Sequence, residues 1–205
     1  METLMRNAVV TLGVCLSLVG VVTPAAAQTT PKAEVSGGYQ LLNLSSGGES
    51  ESFTKGWYAD VAGNLNPTWG IVVEVGGDYK SQTESVTVGR ATATATADIK
   101  LHEFMGGVRV TSRKNPTVAP FAQVLVGAMN GSASFSVTSG VGGVNLFSAS
   151  GADSGTNFAL QLGGGVTIGP SNKVGVRVGA DYLRVFAQDE GANVFRFGAG
   201  INIPF

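Results

Sequence analysis

The strongest constraint on this chain is a two-residue alternation of apolar with polar or small side chains, recurring from Ala33 to Phe205. Successive side chains of a β-strand point to opposite faces, so this period predicts strands with one apolar face. The last segment is the plainest. Phe195, Phe197, Ala199, Ile201, Ile203 and Phe205 fall on one side, with Arg196, Gly198, Gly200 and Asn202 on the other. Residues 158–168 repeat the pattern, with Phe158, Leu160, Leu162, Gly164, Val166 and Ile168 opposite Ala159, Gln161, Gly163, Gly165 and Thr167.

Eight such segments are predicted, at 33–42, 55–65, 69–79, 97–110, 119–130, 156–168, 174–186 and 193–205. Most are far longer than the ~5–6 residues usual in globular strands. A tilted strand needs about 9–11 residues to cross the hydrocarbon of a bilayer. The connections alternate in kind. Asn66-Pro67-Thr68, Thr111–Val118 around Asn115-Pro116, and Gly169–Lys173 around Gly169-Pro170 carry turn chemistry. Those at 43–54, 80–96 and 131–155 are longer, and 187–192 is shorter. The expected fold is therefore all-β, an eight-stranded antiparallel up-and-down transmembrane barrel with short periplasmic turns and long extracellular loops. An even strand count places both termini on the short side. In strand 97–110 the alternation conflicts between Ile99/Leu101 and Phe104/Val108, so a bulge near His102 is expected.

The first 27 residues read as an export signal. Arg6 precedes an apolar stretch, Ala8–Val22; Pro24 breaks it, and Ala25-Ala26-Ala27 supplies a small-residue cleavage site. The domain plan is a signal peptide at 1–27 and a barrel at 28–205, beginning at Gln28. Cys15 lies inside the signal, where Val14 before it is wrong for lipidation, so the processed chain carries no cysteine. Its stability must then come from something other than disulfides. A closed barrel supplies it, because every backbone group pairs between strands. Thirteen Lys and Arg against 14 Asp and Glu, without a basic run, exclude nucleic acid as a partner.

Three features carry a resemblance to a known family: the strand count, the stretch FMGGVRV at Phe104–Val110 leading through a turn into Pro120-Phe121, and the ending FRFGAGINIPF. The chain resembles the small outer-membrane barrels of the OmpA-like and OmpX-like kind, the porin-family barrel domain, across its whole processed length. That resemblance implies a bacterial outer-membrane location. It also implies that the terminal strand, with Phe205, Ile203 and Ile201, is read by the barrel-assembly machinery. The chain stops at Phe205, so no peptidoglycan-binding domain is expected after it.

Assigning faces gives an outward apolar set with an aromatic girdle at Trp57, Trp69, Tyr79, Phe158, Tyr182 and Phe195, and with Phe205 at the terminus. The inward set is polar. Its charge network comprises Glu34, Asp60, Glu74, Asp78, Glu103, Arg109, Arg177, Asp181 and Arg196, joined by Gln40, Asn64, Gln123, Gln161 and Asn202. Eight strands enclose a space that side chains just fill, so these groups are expected to pair as a plug. Paired Gly residues within strands read as room for large neighbours, not as phosphate loops. No catalytic, cofactor or metal site is expected: His102 is the single histidine, and adjacent Glu103 faces the other side of its strand.

The segments flanking Gly89-Arg90, and those flanking the Gly-rich centre of 131–155, read as hairpins that extend the wall beyond the membrane. The expectation is a monomeric, non-catalytic surface protein in outer-membrane lipid. Its role is envelope integrity, or adhesion and partner contact through loops 80–96 and 131–155. A narrow diffusion channel for small solutes is the alternative.

Overall fold

The computed structural model describes residues 30–46, 48–170, 173–187 and 191–205. The expected signal peptide, Cys15 included, lies outside the described residues. Eight strands follow one another: β1 (Ala33–Ser46), β2 (Glu49–Asn64), β3 (Trp69–Val88), β4 (Ala91–Thr111), β5 (Val118–Val141), β6 (Val144–Ile168), β7 (Gly175–Phe186) and β8 (Ala192–Pro204). Each pairs antiparallel with its neighbour in sequence, and β1 pairs with β8, so the sheet closes into a barrel. Closure runs to the final residue, where Phe205 N–H donates to the Ala33 carbonyl at 2.8 Å.

Two of the short turns are built alike. The Asn66 side-chain oxygen accepts from the Thr68 and Trp69 amides at 2.9 and 2.8 Å. Asn115 accepts from Thr117 and Val118 at 2.8 and 3.1 Å. In each case the proline after the asparagine has no N–H to leave unpaired, and the asparagine caps the amides that enter the next strand.

Three expectations are corrected. No bulge occurs at His102, because β4 keeps one register with β3 and β5 along its length. Register shifts fall instead between Gln40 and Leu42 and between Ser139 and Gly140. Second, most of the expected loop 43–54 is strand, whereas 80–96 and 131–155 form the wall-extending hairpins expected of them. β3 to β6 run to 20, 21, 24 and 25 residues, about twice what the hydrocarbon requires, so their outer halves project beyond it. The β5–β6 turn is Gly142-Gly143, both at positive φ (61° and 85°), a conformation that suits the twist of a two-residue hairpin and favours glycine.

The third correction concerns the interior, which is not polar throughout. Leu42, Phe53, Leu101, Met129, Leu183, Val185 and Val194 are buried inside it. On β1, β2, β4, β7 and β8 they lie on the hairpin side of the charged residues, while the buried Ala62 and Val72 lie on the short-turn side of Asp60 and Glu74. The conflict read in strand 97–110 has this cause: Ile99 and Leu101 face inward as part of an apolar layer, while Phe104 and Val108 face lipid.

Candidate functional site

The interior charges form one connected arrangement. At the short-turn end, Arg177 donates to Glu34 at 2.9 Å and to Asp60 at 3.2 Å, and Arg109 donates to Asp60 at 3.0 Å. Phe121, facing inward, lies 4.9 Å from both guanidinium carbons, so its ring separates two like charges while offering each a π-face. Higher up, Arg196 donates to Glu74 at 2.6 Å, to Asp181 at 3.3 Å, and to Glu103. Gln161 bridges Glu74 and Asp181, both at 3.1 Å, and Gln123 receives Arg109 at 2.7 Å. Among the described residues Asp78 has no ion-pair partner, and it takes the Gln40 amide at 2.8 Å. A charge this deep is tolerated because its partners replace the lost water; removing one partner would strand the others.

Glycine makes this packing possible. A Cβ at Gly76 would strike the Glu103 carboxylate, and one at Gly163 would strike that of Asp181. The space left among Gln40, Tyr58, Asp60, Glu74, Arg109 and Phe121 is about 30 Å³, which suits a water molecule rather than a solute.

The sequence-predicted network residues therefore meet inside the barrel, and so do Gln40, Gln123 and Gln161. Asn64 and Asn202 lie nearer the short-turn end, where Asn64 joins Glu34 at 3.1 Å and Asn202 takes the Ser36 hydroxyl at 2.9 Å. Sequence reading missed Arg113, Tyr58 and Phe121. Arg113 folds back from the β4–β5 turn, donating to Glu34 at 2.5 Å and to the Asn64 side-chain oxygen Oδ1 at 3.0 Å.

On the outer face, Trp57, Trp69, Phe158, Phe195 and Phe205 are exposed, and Tyr79 and Tyr182 are half-buried. Phe158 packs on Phe186 and Tyr182 on Phe195, with ring centroids 5.7 and 5.1 Å apart. Ile201 and Ile203 are exposed in line with Phe205. His102 faces outward against Tyr79, with Glu103 buried on the opposite side of the wall.

The family model for "outer membrane protein beta-barrel domain" matches residues 13–203. The chain belongs to that family. It is a small bacterial outer-membrane barrel, and its closed antiparallel sheet sits in outer-membrane lipid. Among solved structures it is similar to Ail, the attachment invasion locus protein of Yersinia pestis, crystallised with the heparin analogue sucrose octasulfate. That match has 21% identity and a TM-score of 0.59, covering 85% of this chain and all of the other. Neisserial surface protein A is similar at 13% identity and a TM-score of 0.58, over 85% of this chain and 97% of that one. At these identities the likeness is one of fold. A search of curated protein sequences returns no match.

Beyond the membrane, this family barrel carries a four-stranded sheet made by the outer parts of β3 to β6. Backbone pairing between β2 and β3 stops at Lys55–Tyr79, and that between β6 and β7 at Phe158–Phe186. Among the described residues, β3 beyond Tyr79 and β6 before Phe158 thus pair on one side only. The two faces of this sheet differ sharply. The face continuing the lumen carries Gln82 and Glu84 nearer the barrel and, beyond them, Val86, Val88, Ala93, Phe135, Val141 and Phe147, whose larger members are about half exposed or more. The other face carries hydroxyls paired across strands: Thr83 with Thr96 at 3.2 Å, Ser85 with Thr94 at 2.9 Å, and Thr87 with Thr92 at 3.1 Å.

Proposed function

We propose that this outer-membrane barrel is a non-catalytic surface protein that works through its projecting β3–β6 sheet, in contact with a partner or in support of the envelope. The observation carrying this reading is the pair of open backbone edges on a sheet whose lumen-side face exposes Val86, Val88, Phe135, Val141 and Phe147. An unpaired edge offers a row of N–H and C=O groups to an incoming strand. The β6 edge, Val144–Asn157, contains a single charge, Asp153, and no proline, so it lacks the usual features that discourage pairing. The narrow-pore alternative finds little support in an interior closed by the ion network and by the apolar layer above it.

The girdle rings are proposed to anchor the barrel at the two interfaces. The exposed Ile201–Ile203–Phe205 face is proposed to engage the assembly machinery. We take the barrel to be monomeric in its own membrane.

The test is a proline placed on the open edge, Ser150→Pro, in cells displaying the protein. Surface attachment and dye exclusion by the envelope would be scored together. Loss of either, with the barrel still heat-modifiable on a gel, supports the reading. Both unchanged would reject a role for this edge.

A further inference from the structure

Asp78 stands apart from the rest of the plug. It is 1% exposed, and its Oδ2 takes the Gln40 side-chain amide. Its Oδ1 is buried with no hydrogen-bond partner among the described residues. Glu103, diagonally across the β3–β4 ladder, leaves Oε2 in the same state. A buried carboxylate oxygen without a donor is costly, because nothing replaces the water it has lost.

The surroundings do not neutralise it. At this level the ionisable groups facing inward are Glu74 on β3, Glu103 on β4, Asp181 on β7 and Arg196 on β8. From β1, β5 and β6 come the amides Gln40, Gln123 and Gln161. Four carboxylates thus share one guanidinium, and its ion pairs go to Glu74, Glu103 and Asp181. Lys80, the next inward residue of β3, is paired with Glu51. On the short-turn side β2 presents Tyr58 and Asp60, and Asp60 is already held by Arg109 and Arg177.

The missing positive charge has to be small. A Cβ at Gly56 would strike Asp78 Oδ1, so this oxygen lies directly on bare backbone. The water-sized space of the interior is lined by Gln40 and Glu74 but not by Asp78 or Glu103. Among the described residues, no three acidic or histidine side chains are placed to ligate a metal ion. A proton needs no ligand shell. The Gln40 backbone carbonyl borders the same point beside Gly56, so a hydroxyl at Oδ1 has an acceptor. A protonated Asp78 accepts from the Gln40 side chain through one oxygen and donates to the Gln40 main chain through the other.

We propose that Asp78 is a proton-binding site, and that the folded barrel at neutral pH holds on its Oδ1 a proton that the unfolded chain has released. The proton comes from water, an O–H bond forms, and the side chain becomes neutral. An aspartate in the unfolded chain gives up its proton at about pH 4. Below that value the contribution to stability is whole. Above it folding takes up one proton, so stability declines as pH rises until the folded barrel loses the proton too. The site is independent of the open edges and of the partner reading.

The test uses the whole protein extracted from outer membranes and refolded into lipid vesicles, with urea unfolding followed from about pH 5 to about pH 9. Asp78→Asn keeps both hydrogen bonds, since its amide N–H replaces the acid hydroxyl. The folded-to-unfolded ratio of the wild type should fall relative to that of Asp78→Asn by up to about tenfold per pH unit. Infrared spectra at neutral pH should show a buried carboxylic-acid carbonyl band that Asp78→Asn lacks. In the unaltered protein this band should shift on carbon-13 labelling of aspartate and not of glutamate, which decides the matter even if the variant fails to fold. Parallel pH dependences, or no acid band, would overturn the proposal. A band that shifts with labelled glutamate and disappears in Glu103→Gln would move the proton to Glu103 and overturn the assignment to Asp78. Stability that follows sodium concentration at fixed ionic strength, instead of pH, would assign the charge to a metal cation and overturn it equally. Heat-dependent gel mobility checks that each variant is folded.

Discussion

Arg196→Met is the substitution from which the interior should recover least. Arg196 is 2% exposed and is the shared cation of Glu74, Asp181 and Glu103. Methionine matches much of its length but leaves three carboxylates around one apolar side chain. Removing one partner of a buried ion pair costs about 3–5 kcal/mol, and here one cation serves several acids. With a urea dependence of ~2 kcal/mol per molar, the unfolding midpoint should fall by roughly 2 M. The assay is urea unfolding of the protein refolded into lipid vesicles, followed by tryptophan emission and by the folded band on an unheated gel. Adding Glu103→Gln to Arg196→Met should recover part of the loss, because it removes one of the stranded charges; coupling of this kind is expected between contacting residues. A midpoint shift below ~0.3 M for Arg196→Met would mean that these charges are solvated, and the plug argument would fail.

Two further substitutions test separate parts of the account. Gly76→Val should displace the Glu103 carboxylate, lowering stability by about 1–3 kcal/mol as overpacking does, measured in the same titration. Phe205→Ser should slow insertion in the presence of the assembly machinery while leaving spontaneous refolding into short-chain lipid nearly unchanged. Equal slowing in both would assign Phe205 to barrel stability alone.

Period-two alternation made the closing strand legible, since Phe195 to Phe205 and Arg196 to Asn202 separate cleanly in hydropathy. The Asn-Pro turns were equally plain, because asparagine before proline leaves few backbone choices. Alternation identifies which residues share a face; it does not say which face meets lipid when both are apolar. That is why Ile99 and Leu101 were set against Phe104, and why the apolar layer inside the barrel escaped notice. The outer parts of β3 to β6 were legible as hairpins about Gly89-Arg90 and the Gly-rich centre of 131–155, but not as one sheet with assigned faces, because the Ala-Thr repeat at 91–97 has little hydropathy contrast. Phe121 was missed because an aromatic ring in a barrel strand reads as lipid-facing until two guanidinium groups are found against it. Arg113 was missed because a turn residue reaches Glu34 through the length of its side chain, which no strand period encodes.

The central claim is that the interior is closed, so that function lies on the outside of the wall and beyond it. Single-channel recording of the refolded protein in a planar bilayer tests this most directly, with folding confirmed beforehand by heat-dependent gel mobility. The account predicts a silent membrane at all applied voltages. Steady, reproducible openings from the folded protein would contradict it and make the lumen charges a filter instead of a plug.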